Sequence, residues 1–510
     1  MFEAKFEIDQ TIGIDQTIGK FWKKIPKDNW KGTQSSVPYD TAWVAAVKND
    51  DDKPIFPSAL SWLLQNQALN GSWGSHTFIC ERLLSTAACV GTLLLYDDKY
   101  RDRIKLGVNW LYSNIPRLQG GNYVYMVGFE FLLPAILKRI NNYQFDLGPE
   151  IKKIQQMQSQ KLSKLPKEAI LKEKTSKLFS LEVMDNTPLT LPNIDHFLEE
   201  NGSLAATPST TAWYLAKKIS NKNPEMLQFL RHSQNSDGGY PSFTDFHPFT
   251  IAYVMYPLVK ILGKQASFKD ILLHQLKPCW RKTGVGFSHF FPIPDADNTS
   301  LGLYLMEKFG VISSNGLEWE AMDSYDCGAN YSTYPYEVGF SSLTNLHVLD
   351  AFANSQNKKR EYGLNKLLHF FSDQLRGHSS SLGEDKYHIS PQCQNCHGIL
   401  ALAHEAPELA GKILNWFLEN RNGQGLWANE ADQPTLEENA YAVLGICYYH
   451  QHVEKVDLEI LTPAIKFLTS KSEMFHPSRW ISKILYTPVE IVNAYILAAL
   501  ILYKNLKNLG

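Results

Sequence analysis

Apolar residues recur along this chain with the spacing that is typical of α-helices. Segments of about ten to twenty residues carry apolar positions three or four apart, and clusters of Gly, Pro and Asn separate the segments. The sequence contains no extended run with the alternation of polar and apolar residues that a strand requires. The pattern therefore predicts an all-α protein.

Five segments rich in small and apolar residues recur at a nearly regular interval. They follow Asn298, Asn345, Cys396, Asn439 and Asn493, at spacings of 47, 51, 43 and 54 residues. We interpret each segment as the inner helix of a helix pair, and pairs that close into a ring form an (α/α) barrel. Pairs that stack without closing form an open solenoid, which binds partners on its concave face. The period alone is compatible with both architectures.

Glycine-rich turns recur at the ends of predicted helices. Glycine allows the left-handed backbone in which many helices terminate. In two of these turns a Gln or a Trp is placed to tie the turn to a neighbouring helix, and the four turns together favour a repeated helix-pair barrel. The turns lie at residues 65–74, 200–203, 236–240 and 422–427.

Composition limits the cellular setting. A chain of 510 residues with 44% hydrophobic and 20% charged residues is a folded protein that exceeds one ordinary core. A net charge of −2 predicts no nucleic-acid partner. Seven irregularly spaced cysteines, no apolar N-terminal signal and a longest apolar run of only residues 491–503 predict a cytoplasmic enzyme. Peripheral membrane contact and the oligomeric state stay open.

The first candidate for chemistry is a pair of carboxylates before a Leu-rich segment, in the run Asp295-Ala296-Asp297-Asn298-Thr299. One interpretation is structural, since Asp is a favoured N-cap and acidic residues stabilise a first helical turn. The other is catalytic, because a carboxyl group that is buried beside a like charge retains its proton.

Motifs in a fixed order along the chain separate these interpretations. Residues 38–45 (PYDTAWVA), 70–74 (NGSWG), 128–130 (GFE) and 208–212 (PSTTA) precede the acidic run. Together they resemble the class II diterpene cyclases of the copalyl diphosphate synthase type, whose acid motif is D-x-D-D-T. The resemblance extends from about Trp30 to Pro488, nearly the whole chain.

The resemblance implies two (α/α) barrel domains in the family's βγ arrangement. The acid-bearing domain would comprise residues 1–39 and 263–510, with residues 40–262 inserted as the second domain. The active site would lie at the interface between the two domains. Such an enzyme protonates the terminal alkene of a polyprenyl chain and closes it into rings.

The resemblance also implies residue roles. Asp297 would be the general acid, and Asp295 the like-charged neighbour that helps it to keep its proton. Asn298 replaces the family's third carboxylate and cannot ionise. Ser341 and Asn345 match the residues that hold the acid by hydrogen bonds, although capping of their own helix is an equally strong interpretation. His347, nearby in sequence, is expected to point elsewhere.

The positions that bind the substrate head group match unevenly. Lys161 corresponds to the family's diphosphate-binding lysine, and Lys483 to another family lysine; both are candidate anion ligands. The family's magnesium loop, E-D-x-x-D, aligns with residues 48–52, where Lys48 and Asn49 replace the leading acids. We therefore expect no metal and no cofactor, with Mg²⁺ only if the substrate is a diphosphate, and we expect the acidic triplet to be a solvated turn.

These departures favour a particular substrate class. The family's His–Asn pair that orders the terminating water aligns with Phe179 and Ser242, so termination must differ. The pattern fits bacterial meroterpenoid cyclases of the merosterolic acid synthase type, which act on a geranylgeranyl chain attached to a hydroxybenzoic acid. A diphosphate cyclase acting on geranylgeranyl diphosphate is the alternative, and a non-catalytic solenoid is the distant one.

Aromatic residues near the motif helices are candidates for the cavity wall, since their faces stabilise carbocations. The candidates are Trp280, Phe287, Phe290, Tyr331, Tyr334 and Tyr336. The C-x-x-C-H run at residues 393–397 matches the haem c attachment pattern, but a single copy is interpreted as chance. The metal-binding D-D-x-x-D motif of class I terpene synthases is absent from the sequence.

Overall fold

The structure is a computed structural model of the chain. It describes residues 11–26, 30–118, 126–140, 143, 145, 148–164, 176–184, 194–217, 223–265, 268–291, 293–335, 337, 339–376, 380–383, 385–429, 433–471 and 474–509.

The described residues form helices joined by turns, with one short hairpin. Proline occupies a first helical position in many of them, where its fixed φ favours helix initiation and no backbone donor is lost. The helices are α1 Thr11–Lys24, α2 Pro38–Ala45, α3 Pro57–Gln65, α4 Ile79–Leu93, α5 Arg101–Asn114, α6 Phe129–Arg139, α7 Gly148–Lys164, α8 Pro208–Lys217, α9 Pro224–Ser233, α10 His247–Leu262, α11 Lys269–Ile271, α12 Ala296–Lys308, α13 Ser342–Ala353, α14 Arg360–Gln374, α15 Pro391–Leu402, α16 Pro407–Glu419, α17 Leu436–His452, α18 Thr462–Ser470 and α19 Val489–Leu509.

One barrel is a closed ring of six inner helices. α12 packs on α13, α13 on α15, α15 on α17, α17 on α19, α19 on α10, and α10 again on α12. The inner helices are buried on nearly every side, whereas the outer helix α16 buries a single stripe that includes Leu409, Ile413 and Phe417. α14, α16, α18 and α1 pack outside the ring. The ring confirms the predicted barrel and rules out an open solenoid for this half of the chain.

The second barrel is smaller. α2 packs on α4, α4 on α6, α6 on the 3₁₀ helix Ser176–Met184, that helix on α8, and α8 again on α2. α3, α5, α7 and α9 pack on its outside. The predicted all-α, two-barrel fold is therefore confirmed.

The predicted domain boundary is displaced by one helix. α10 was expected in the inserted domain, which was placed at residues 40–262, but it closes the acid-bearing ring between α12 and α19. α1 also packs on this barrel, against α18 and α19, as expected for the N-terminal segment. The sixth inner helix was missed because it begins at His247-Pro248 and contains Pro257, which weakens the helical pattern.

The recurrent turns fasten helix ends as predicted. Gly71 has a φ of 92°, a left-handed conformation that side chains disfavour. Gln67 donates from Nε2 to the carbonyl oxygens of Gly71 and of Arg103 on α5, each at 2.9 Å. The Trp73 indole donates to the Leu63 carbonyl at 2.7 Å, and Trp427 donates to the Phe417 carbonyl at 2.9 Å. The same device therefore operates in both barrels.

A two-stranded antiparallel hairpin bridges the barrels. β1 Trp480–Ile481 pairs with β2 Leu485–Tyr486, and the Ser482 carbonyl at its tip accepts a hydrogen bond from Val127 of the smaller barrel. Two segments of the described chain, Ile79–Tyr96 and Val489–Asn508, are apolar and long enough to cross a membrane. They are 72% and 67% buried inside the protein, as central helices of a folded domain are.

Candidate active site

Asp297 lies in the first turn of α12, beside a cavity whose wall contains residues of both barrels. Asp295 is the N-cap of this helix and accepts a hydrogen bond from the Asn298 amide N–H at 2.7 Å. Asp295, Asp297 and Asn298 are 2%, 7% and 4% exposed, yet all three line a cavity. Asp295 therefore caps the helix, as the structural interpretation expects, and this helix places Asp297 at a cavity, as the catalytic interpretation requires.

Each oxygen of Asp297 has one partner. Tyr253 of α10 donates from its hydroxyl to Oδ2 at 2.5 Å, and Nδ1 of His347 on α13 bonds Oδ1. Burial, with the charge of Asp297 adding, raises the pKa of Tyr253 well above its usual value, so the phenol stays a donor. His347 is fully buried and also bonds His397 of α15, with 2.7 Å between Nε2 and Nδ1.

The predicted partners of the acid are corrected by this arrangement. Ser341 caps α13, accepting from the Thr344 N–H, and donates to Asp385 at 2.9 Å. Asn345 fastens the loop before α13, accepting from the Tyr331 N–H at 2.8 Å and donating to the Tyr331 carbonyl at 2.9 Å. The prediction that they hold Asp297 is wrong among the described contacts. His347, expected to point elsewhere, takes that role because it lies on the opposite side of the same inner helix.

Asn298 occupies the place of the third carboxylate and pairs with Asp295. Its side-chain amide donates to both oxygens of Asp295 at 3.1 Å. Burial, with the negative charge of Asp297 adding, raises the pKa of Asp295 to about 8. A carboxylate at position 298 would place a second negative charge about as close to Asp295 as the Asn298 amide lies. The amide instead supplies a hydrogen-bond donor and carries no charge.

The cavity above Asp297 has a volume of about 730 Å³, within the ~300–1,000 Å³ typical of small-molecule sites. Both barrels contribute to its wall, as expected for a site at their interface. From the smaller barrel and its connections come Met126, Val127, Gly128, Glu130, Met157 and Phe179. From the acid-bearing barrel and its loops come Phe243, Phe249, Tyr253, Phe287, Phe291, Asp295, Asp297, Asn298, Thr333, Tyr334, Pro335, Glu337, Lys386, Tyr387, Trp480, Ile481, Ser482 and Tyr486.

Two of the proposed aromatic residues, Phe287 and Tyr334, line this cavity. Tyr336 lies outside the described residues. Trp280, Phe290 and Tyr331 are not part of the described wall. Trp280 instead packs against Gly302 of α12, where an added Cβ would come within 3.1 Å of the indole.

The missed aromatics form a continuous wall that starts at the acid. The ring of Tyr253 lies 4.5 Å from Phe249 and 5.4 Å from Trp480, and Phe243 lies 4.7 Å from Phe287. Phe179 lies 5.7 Å from Phe291 and 6.4 Å from Phe243. Tyr486 lies 5.1 Å from Phe243 and 6.5 Å from Trp480, so the rings form one connected cluster. Phe249 and Tyr253 come from α10 and Trp480 from the hairpin, two segments that no sequence motif connected with the acid.

The two candidate lysines have different outcomes. Lys483, at the hairpin tip, is fully buried and bonds Glu182 at 2.8 Å, Ser209 Oγ at 2.7 Å and Thr207 Oγ1 at 3.2 Å. Its positive charge is therefore paired with Glu182 where the two barrels meet. This contact corrects the assignment of Lys483 as a substrate ligand. Lys161 lies in α7, four residues after the cavity residue Met157, but its side chain lies outside the described residues.

The segment that aligns with the family's magnesium loop is an exposed turn. The Lys48 ammonium lies 2.9 Å from Asp52 Oδ1, and Asn49 Oδ1 accepts from the N–H groups of Asp51 and Lys53 at 3.1 and 2.9 Å. The leading acids are absent and Asp52 already has a cation, so these residues do not fit a Mg²⁺ site. The expected solvated turn is confirmed.

Of the two positions of the terminating pair, one lines the cavity and the other contacts a residue that lines it. Phe179 lines the wall, and the buried Ser242 donates from Oγ to Ser482 Oγ at 3.3 Å. A phenyl ring cannot accept a proton, so the geometry is consistent with the expectation that this pair does not terminate the reaction.

Known proteins resemble this chain along nearly its whole length. No protein-family model matches it. A type B diterpene cyclase of Mycobacterium tuberculosis is 29% identical over 488 residues, covering 91% of this chain and 95% of that protein. Copalyl diphosphate synthase 1 of Isodon rubescens is 32% identical over 335 residues, 62% of this chain, and the chain spans 41% of that longer protein.

A solved structure has the same architecture. The ent-copalyl diphosphate synthase of Streptomyces platensis superposes with a TM-score of 0.75 at 20% identity, covering 97% of this chain and 99% of that one. The type II terpene cyclase MstE from Scytonema overlaps 51% of this chain and 88% of that one, at 13% identity and a TM-score of 0.39. Two closed barrels, a buried acid motif and similarity to a diterpene cyclase over 91% of the chain support class II terpene cyclase activity.

Proposed function

We propose that this enzyme protonates the terminal alkene of a geranylgeranyl chain through Asp297 and closes the chain into fused rings. The observation that carries the proposal is the position of Asp297, whose oxygens bond Tyr253 and His347 at the base of an aromatic cavity. The carboxyl proton forms a C–H bond with the alkene and leaves a tertiary carbocation. Successive alkenes then attack the cation, and loss of a proton or capture of water ends the reaction.

The surroundings of Asp297 suit a strong acid. An alkene is a very weak base, so the acid must be protonated beforehand and its conjugate base must be stabilised as it forms. Tyr253 and His347 lie in position to stabilise the carboxylate afterwards, and these preorganised partners act where water is excluded.

The aromatic wall suits the carbocations that follow. Each ring face attracts a cation by about 0.5–2 kcal/mol and offers no lone pair that would trap it. Phe249, Trp480 and Phe243 extend this wall away from Tyr253, in the direction in which the positive charge would migrate. The wall also prefolds the chain, so that successive double bonds meet at short distance.

For the head group, a diphosphate is the first candidate. The proteins that are similar to this chain include a diterpene cyclase and copalyl diphosphate synthases, which supports geranylgeranyl diphosphate. Lys161, on the helix that brings Met157 to the cavity, is the proposed anion ligand. Lys386 also lines the cavity, although Glu337 lies 2.7 Å from its ammonium.

A geranylgeranyl hydroxybenzoic acid is the second candidate. The observation that favours it is the turn at Lys48 and Asn49, whose donors do not fit the magnesium ion that usually accompanies a diphosphate. A carboxylate carries less charge than a diphosphate and can be bound by a single lysine. This proposal therefore predicts turnover that does not depend on Mg²⁺.

One experiment tests the chemistry and the head group together. The enzyme is incubated with each C20 substrate, with Mg²⁺ or with EDTA, and the products are identified by mass spectrometry. In D₂O, the product should gain one deuterium in the ring formed from the terminal alkene. Asp297→Asn should abolish product while the melting temperature stays near that of the wild type, and comparable turnover by this variant would refute the assignment. Strict Mg²⁺ dependence with geranylgeranyl diphosphate would refute the benzoic acid candidate.

A further inference from the structure

Asp297, His347 and His397 form a linear chain of hydrogen bonds across the interior of the six-helix barrel. The three residues are spaced 50 residues apart and lie on successive inner helices, α12, α13 and α15. Equal spacing on neighbouring helices places them at one level of the ring. His397 is the last residue of the C-x-x-C-H run, whose histidine thus has a place in the fold unrelated to haem.

His397 is enclosed by aromatic rings at this level. Tyr256 stacks parallel to it at 5.7 Å, and Tyr495 and Tyr441 lie 5.3 and 6.2 Å away. The imidazole is fully buried, and its Nε2 has no hydrogen-bond partner among the described residues. Burial lowers the pKa of His397 well below its usual value, with the nearby His347, His388 and Lys260 adding to the effect. A neutral ring carries a single N–H.

The unpartnered Nε2 of His397 indicates which nitrogen of each histidine carries its proton. A buried N–H without an acceptor is rarer than an acceptor without a donor, so the N–H of His397 is at Nδ1, where His347 accepts it. The Nε2 of His347 is then the acceptor, and its own N–H is at Nδ1, pointing at Asp297 Oδ1. A carboxyl group whose Oδ1 accepts a hydrogen bond carries its proton on Oδ2.

From this geometry we propose that His397 is a positioning residue, which fixes the tautomer of His347 and thereby keeps the transferable proton of Asp297 on Oδ2. Oδ2 is the oxygen that Tyr253 contacts, and Tyr253 lines the cavity. The inference deepens the proposed function, because it specifies which oxygen delivers the proton. His397 itself does not line the described cavity and acts only through His347.

The direct test is the protonation state of His347 in the wild-type enzyme without substrate. Nitrogen-15 NMR on histidine-labelled protein distinguishes Nδ1–H from Nε2–H, and the His347→Gln and His397→Asn variants assign the two resonances by their loss. We expect His347 and His397 each to be protonated at Nδ1 alone. A His347 ring that is protonated at Nε2, or at both nitrogens, would overturn the proposal. This result does not depend on any substrate, so it is separate from a failure of the proposed function.

Kinetics of two substitutions supply a second test. His397→Leu keeps the volume but removes the donor to His347, and we expect kcat to fall about 10–100-fold with KM within about twofold. In His397→Asn the side-chain amide can replace Nδ1–H as a donor, so we expect most of the lost kcat to return. Tyr495→Phe, which removes an unpartnered hydroxyl beside the same ring, is the matched control and should retain wild-type kcat. Equal kcat in the Leu, Asn and control variants would overturn the proposal.

Discussion

Removal of the Tyr253 hydroxyl should slow protonation without unfolding the enzyme. In Tyr253→Phe the ring remains in the cavity wall against Phe249 and Trp480, while Asp297 Oδ2 loses the donor that lies 2.5 Å away. Asp297 is neutral before proton transfer and negative after it, so this hydrogen bond strengthens as the reaction proceeds. Only that increase contributes to catalysis.

The magnitude follows from the change in hydrogen-bond strength. A hydrogen bond to a charged group contributes about 1.5–3 kcal/mol and one to a neutral group about 0.5–1.5 kcal/mol. The difference, about 1–1.5 kcal/mol, corresponds to a kcat about 5–13-fold lower. KM should change by less than about twofold, because the wall retains its shape.

The assay is steady-state product formation at saturating substrate, quantified by mass spectrometry, together with the melting temperature. Tyr240→Phe is the matched control, since Tyr240 is also fully buried but its hydroxyl has no partner among the described residues and lies outside the site. A Tyr253→Phe enzyme with wild-type kcat would refute the idea that Tyr253 stabilises the Asp297 carboxylate. A variant with an increased KM and an unchanged kcat would refute it equally.

Two further predictions concern stability. Lys483→Met leaves Glu182 buried without its cation, so the free energy of unfolding in urea should fall by about 3–5 kcal/mol. The double variant with Glu182→Met should recover most of this loss. A single variant with wild-type stability would contradict the role of the pair. Asp295→Asn should alter the pH dependence, because the folded protein keeps the Asp295 proton up to a pKa of about 8 whereas the unfolded chain releases it near pH ~4. Between those values the wild type should lose about 1.4 kcal/mol of unfolding free energy per pH unit through this group, and the Asn variant should lack that slope; parallel curves would contradict it.

Local sequence determined the elements of the fold and the identity of the acid. Apolar periodicity, proline at helix starts and glycine-rich turns act within a few residues, so the helices and their repeated pairing follow from short segments. The five predicted inner segments correspond to α12, α13, α15, α17 and α19. The Asp295 cap likewise depends on an amide three residues away. Asp297 followed from its neighbours in sequence and from the ordered motifs.

The partners of Asp297 were decided by the tertiary structure. Helices that are buried on all sides have no polar face, so the sequence does not indicate which side points at a neighbour. Ser341 and Asn345 lie on the same helix as His347, yet only His347 faces the acid, because α12 and α15 flank α13. The signal in the sequence that could have identified these partners was the 50-residue interval between Asp297, His347 and His397. Helix α10 lies about one such interval before α12.

The charges show the same division between sequence and structure. A lysine in isolation predicts a solvated group or an anion ligand, but Lys483 is buried against Glu182, about three hundred residues earlier in the chain. The aromatic wall similarly combines rings from α10, the hairpin and the smaller barrel. The sequence by itself determined that the chain forms helix pairs and carries a capped acid. Closure of the ring and docking of the two barrels decided which distant side chains surround that acid, because those contacts depend on packing between segments that no local pattern connects.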